Sequence, residues 1–424
     1  MTVHVVGAGD SLWSISNTYG VPLQTIMSTN GLPSEKSLVP GLALYLPDHT
    51  TFMRSYKIKA GDNDWSLAKV FQTTPEAILS ANPGINTNLL SIGQVINIPS
   101  PLKLRLATLG FLIPYDASAI LPTLGAISKE LTFLAIVAYS FTSEGYAYNE
   151  IEDSSIVARC KELNITPLLM IRNFAGGNFS PNLAGDVLGN SRYRNNLIAS
   201  IVNLARQRGF GGISIDFEFI PPARRNDFSS FLSGLKSALG NLILQVNVHA
   251  KTEDIPTNRI IGAYDYAAIG RAADLVAVMT IDYGYPGGPP DPIAPIPWME
   301  QVIQYSLTQI PSSKLQVAIA LYGYDKVTTT KATTAFSILA AQNLAISTGT
   351  SIQYDASNKS PWFRYWRGAE EHIVRFEDIR SLLEKYRLMD IYQLSGTTFW
   401  QISLPAPQNW AFIRDHIEVF KLYR

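Results

Sequence analysis

Cysteine is almost absent: Cys160 stands alone in 424 residues. That excludes an intramolecular disulfide and a cysteine-rich metal site. Charge is also scarce. Only 16% of the residues are Asp, Glu, Lys or Arg, and 34 basic side chains balance 34 acidic ones. Without a basic field, nucleic acid and anionic membrane surfaces are not expected as partners; a neutral partner is. No apolar run approaches the roughly 18 residues that a membrane-spanning helix needs, so none is expected. The opening MTVHVVGAGDSLWS has no basic stretch followed by an apolar one, so no secretory signal is expected either.

What the chain does have is a globular composition, 46% hydrophobic. Its length suits roughly two to three domains rather than one core. Seven Trp and 20 Tyr fit a protein that handles sugars, whose CH faces stack on aromatic rings, although aromatics more often fill cores. A monomer is expected.

The first hundred residues are a duplication. Gly9, Asp10, Trp13, Asn30, Gly41 and Pro47 recur at a constant offset of 52 as Gly61, Asp62, Trp65, Asn82, Gly93 and Pro99. Each copy reads as strand, Gly-Asp turn, helix, loop, helix, strand. The pattern resembles the LysM domain over residues 3–48 and 54–100. The resemblance implies binding of glycans containing N-acetylglucosamine, in a groove between the Gly-Asp turn and the loop that joins the helices. By that analogy the contacting segments hold Gly9, Asp10, Ser11, Leu12 and Asn30 in copy one. In copy two they hold Gly61, Asp62, Asn63, Asp64 and Asn82. Trp13 and Trp65 are expected in the cores of these tiny domains, which need every large apolar side chain. The modules are expected to act as separable targeting units, spanning 1–49 and 50–100.

From 101 to 424, eight apolar strand-like runs alternate with helical patterns, which is the count and size of a (β/α)8 barrel. The interval between the seventh and eighth strands is too long for one helix. It predicts an inserted α+β subdomain at about 327–376. The fold class is therefore α/β: a TIM barrel carrying a small insertion, preceded by two small α+β modules.

One strand poses a chemical question. GGISIDFEFI, residues 211–220, places Asp216 and Glu218 two apart in an apolar run. At that spacing Gly212, Ser214, Asp216 and Glu218 share the inward face, while Ile213, Ile215, Phe217 and Phe219 face the helices. Inward carboxylates at the C-terminal mouth of a barrel strand sit where barrel enzymes keep their chemistry. Crowding two of them raises the pKa of one, which is what a general acid requires.

The run resembles the catalytic strand of glycoside hydrolase family 18, Asp-x-x-Asp-x-Asp-x-Glu, with Gly211 and Ser214 in place of the first two Asp residues. The resemblance implies that Glu218 is the acid/base and Asp216 its partner, with Ser214 within reach of Asp216. VMTIDYGYPGGPPDP resembles the family's sixth-strand Met-x-Tyr-Asp segment through Met279 and Asp282. Ile281 replaces the tyrosine that holds the substrate acetamido group, so Tyr283 or Tyr285 is expected to take its place. Trp400 matches the floor of the sugar subsite. Asn173, Tyr139 and Tyr322 end their strands where they could line the cleft. The family's substrate-assisted mechanism implies no metal and no cofactor.

Two LysM-like modules together with GAYDYAAIGRAADLVAVMT, GYPGGPP and LPAPQNW resemble the spore cortex-lytic N-acetylglucosaminidases of spore-forming bacteria. That resemblance implies peptidoglycan as substrate and a spore or cell-wall location. A LysM-targeted chitinase and a non-catalytic glycan-binding barrel remain open.

Overall fold

The computed structural model describes residues 2–47, 51–86 and 90–422. The 49/50 boundary expected between the modules lies outside the described residues. Eight barrel strands follow the modules: β1 (Leu104–Leu112), β2 (Phe133–Phe141), β3 (Thr166–Arg172), β4 (Gly212–Asp216), β5 (Ile243–His249), β6 (Leu275–Met279), β7 (Leu315–Ala320) and β8 (Gly396–Trp400). Each pairs in parallel with its neighbours. The β8–β1 and β1–β2 pairings close the barrel. The strands are buried on both sides, which explains their near-continuous apolar runs.

The inserted sheet begins earlier than the sequence suggests. LQVAIALYGYD reads as one strand but breaks at Leu321, whose N–H bonds the Trp400 carbonyl. Tyr322–Val327 then belongs to a separate five-stranded antiparallel sheet that ends with Glu370–Arg375. Helix Ile338–Ser347 lies within this insertion.

Each module is a two-stranded antiparallel sheet with two short helices: Thr2–Val5 pairs Ala43–Leu46, and Phe52–Lys57 pairs Val95–Ser100. They are not equally separable. The second has a core of its own, built on Tyr56, Leu67, Phe71, Ile78, Ile96 and Ile98. The first merges its core with the insertion: Leu12, Ile15, Ile26 and Leu44 pack in one cluster with Ile352, Phe363, Val374 and Phe376. Its Tyr45 joins the barrel core and donates to Asp415 at 2.6 Å.

Polar groups complete that junction. Buried Asn30 bridges its own helix and strand by donating to the carbonyls of Ile26 and Tyr45. It also accepts from Gln408 at 2.8 Å, and its carbonyl accepts from Gln342 at 2.9 Å. At Gly41, φ is +83°, and a Cβ would fall 1.8 Å from the Ile352 carbonyl oxygen, so only glycine permits this approach. The second module docks chiefly through Arg54, whose guanidinium pairs with Asp390 at 2.7 and 2.9 Å.

Candidate active site

Strand β4 delivers Asp216 at its last residue, and the chain then leaves the ladder. Glu218 therefore has no strand neighbour for its peptide. The Asn173 side chain supplies one: its Oδ1 accepts from Glu218 N, and its Nδ2 donates to Glu218 O, both at 2.9 Å. Phe217 turns outward as expected, stacking on Phe231 with ring centroids 5.6 Å apart. Phe219 does not. At φ +54° it takes the left-handed region that bulky residues avoid, and its ring lines the cleft instead of meeting the helices. Simple alternation fails there because the strand has already ended.

Asp216 and Glu218 open into a cavity of about 670 Å³, lined also by Phe111, Arg172, Phe179, Asn247, His249, Met279, Ile281, Asp282, Tyr285, Trp298 and Trp400. The Trp400 ring sits 5.6 Å from that of Phe111 and forms part of an aromatic wall. Asp216 is buried, and its carboxyl is held well above the ordinary carboxylate range. Burial is the main cause and the Glu218 charge adds to it, while Arg172 and a hydrogen bond with Asn247 oppose it. Ser214 is not the partner of Asp216; its hydroxyl donates to Gln245.

A stability consequence follows. The unfolded-state value is near 3.8, and the folded value is higher, so ionising Asp216 destabilises the fold as pH rises through that window. Asp216→Asn should therefore raise the thermal midpoint at pH 7, with the gain shrinking as pH falls toward 4. A midpoint lowered at pH 7 in calorimetry would contradict this.

Asp282, at φ +57°, lies at the rim, where Tyr322 and Tyr324 of the insertion donate to the same oxygen, Oδ1, at 2.6 and 2.7 Å. Burial and the Asp282 charge push both phenols up, so they stay donors. The second oxygen of Asp282 makes neither of these bonds. Tyr322 thus acts on Asp282 from behind rather than lining the cavity. Tyr139 lies elsewhere: fully buried, it donates to Asp153 at 2.8 Å. Asn173 is a backbone clamp. Of the two candidate tyrosines, Tyr285 lines the cavity, whereas Tyr283 packs on Trp298. Arg172, Asn247 and His249 also line the cavity, and their only signal in the sequence is a polar residue in an otherwise apolar strand; Phe179 lines it from a short hairpin and carries no such signal.

In the modules, several expected contact residues are structural. Leu12 is core, and Asn30 and Asn82 are buried, each tying helix to strand. Asp10 and Asp62 close their turns by accepting from Gly7 N and Lys59 N, both at 2.7 Å. Ser11 and Asn63 cap the first helices, while Gly9 and Gly61 take φ near +90° in the exposed turns. Asp64 sits in the first helical turn, accepting from Trp65 N at 2.9 Å. Trp13 and Trp65 are not core: they are 71% and 72% exposed beside those turns, while Leu12, Ile15 and Ile26 fill the first interior and Tyr56, Leu67, Phe71 and Ile78 the second.

Residues 124–404 match glycosyl hydrolases family 18, and 4–47 and 56–99 match the LysM domain. The chain belongs to glycosyl hydrolase family 18. It is a glycoside hydrolase with two LysM domains. Similar proteins include a cortical fragment-lytic enzyme of Bacillus subtilis, 31% identical over 440 residues and covering 99% of each chain. One of Bacillus anthracis is 30% identical over 426 residues, covering 98% of each. Among solved structures, the Bacillus cereus spore cortex-lytic enzyme SleL superposes with a TM-score of 0.87 at 29% identity, over 99% of this chain and 98% of that one.

Proposed function

We propose that the protein hydrolyses spore-cortex peptidoglycan on the reducing side of N-acetylglucosamine, acting in the spore or cell wall. The Asp216–Glu218 pair at the floor of an aromatic cleft carries the reading. Two LysM domains on the same chain and the cortex-lytic relatives support the substrate class. Glu218 protonates the glycosidic oxygen while the substrate's 2-acetamido oxygen attacks the anomeric carbon, releasing the leaving sugar and forming an oxazolinium ion. Asp216 orients the acetamido group; the developing positive charge draws its raised carboxyl toward the ionised form. Water, deprotonated by Glu218, then opens the ring with retention. In the LysM domains, the exposed turns at Gly9 and Ser11, and at Gly61, Asn63 and Asp64, offer glycan contacts beside Trp13 and Trp65.

The bond cut is set by sterics. Both wall sugars carry an acetamido group, but muramic acid adds a lactyl ether on the adjacent carbon. Asp216, Trp400 and Tyr285 around the acetamido leave that bulk excluded. Borohydride reduction of digested cortex fragments followed by mass spectrometry should show reduced N-acetylglucosamine ends. Reduced muramic acid would overturn the assignment, and preferential cutting of chitin in a parallel digest would make the protein a chitinase.

A further inference from the structure

The inward side chains of β4 and of the segment that follows it face the inward side chains of β5 in turn. Ser214 pairs in register with Gln245 and donates to it. Two residues on, Asn247 accepts from Gln245 at 2.8 Å and its side chain favours the ionised form of Asp216. Two further on, His249 meets Glu218, with Nε2 3.2 Å from Oε2. The first rung is a closed hydrogen bond. The third is at contact distance but poorly aligned, and the buried Nε2 atom of His249 has no other partner among the described residues.

The imidazole is otherwise held firmly. The rings of Phe219 and Tyr264 lie 5.5 and 5.6 Å from it, and the Tyr266 hydroxyl donates to the His249 carbonyl at 2.6 Å. A ring packed this way, with one nitrogen facing the acid, is placed to act on it. We infer that His249 is a positioning residue for the acid/base: its Nε2–H holds Oε2 of Glu218, leaving Oε1 to pass the proton to and from substrate. Asn173 fixes the peptide of Glu218, and His249 fixes the carboxyl at the end of three rotatable bonds. Catalytic hydrogen bonds that are misaligned in a free enzyme commonly tighten once substrate is bound, and a small turn of either side chain closes this one. An acid displaced by about 1 Å can lose about 100-fold in rate.

This inference rests on the proposed hydrolysis, so its test has one arm that needs no turnover. His249→Phe keeps a ring between Phe219 and Tyr264 but removes the donor; His249→Gln restores an amide donor. On peptidoglycan fragments His249→Phe should lose about 10- to 100-fold in kcat with KM within about twofold, and His249→Gln should recover most of the loss. Wild-type kcat in His249→Phe, or equal losses in both variants with KM raised, overturns the role. In the second arm, 15N spectra of the imidazole in the full chain should show the Nε2 resonance moving in Glu218→Gln. An unmoved resonance overturns the contact whatever the substrate proves to be. Failure of the wild-type chain to cut peptidoglycan, with the resonance still moving, would instead fault the functional reading alone.

Discussion

Glu218→Gln should leave a folded protein whose turnover falls by about 100- to 10,000-fold. The amide matches the carboxyl in shape, so the Asn173 clamp and the cavity walls persist. It cannot deliver a proton to the leaving oxygen, nor take one from water in the second step. Release of new reducing ends, compared at matched thermal midpoints, measures the effect. Asp216→Asn should lose less, since Asn247 can still hold the side chain. Near-native turnover from a folded Gln variant would place the acid elsewhere in the cleft.

The other large effect concerns the LysM domains. Separable modules could be removed without harm to the barrel, but the structure argues against that here. Deleting residues 1–100 strips the insertion of its core partners Leu12, Ile26 and Leu44, and leaves Gln408, Gln342 and Asp390 without theirs. At roughly 1.5–3 kcal/mol per large apolar side chain, the loss is on the order of 5 kcal/mol or more. The truncated barrel should therefore unfold at a clearly lower temperature, and cut short soluble fragments poorly above that point. An unchanged midpoint in scanning calorimetry would show that the shared core contributes nothing.

Much of this was legible from the chain. Barrel strands announce themselves because both faces are buried, and the duplication because six residues keep one offset. Glu218 and Asp216 stood out because carboxylates are costly in an apolar strand. Other features depended on neighbours that periodicity cannot name. Phe219 reads as outward until β4 is known to stop at Asp216. His249 means little without Glu218 beside it, and those residues are 31 apart in sequence. Tyr139 ends its strand just as an active-site tyrosine would, yet its hydroxyl meets Asp153. Trp13 and Trp65 look like core in any small domain, yet in the fold they are exposed while Leu12, Ile15 and Leu67 are buried.

Gly41 and Gly93 descend from one position, and both turn the chain at φ above +80°. A Cβ on Gly93 would come no nearer than 3.9 Å to a lysine side chain, whereas one on Gly41 would enter the Ile352 carbonyl. Asn30 and Asn82 differ likewise, since only Asn30 also serves Gln408 and Gln342. The twins have thus ceased to be interchangeable. A chimera carrying copy two in both places would keep its turns and lose its anchorage.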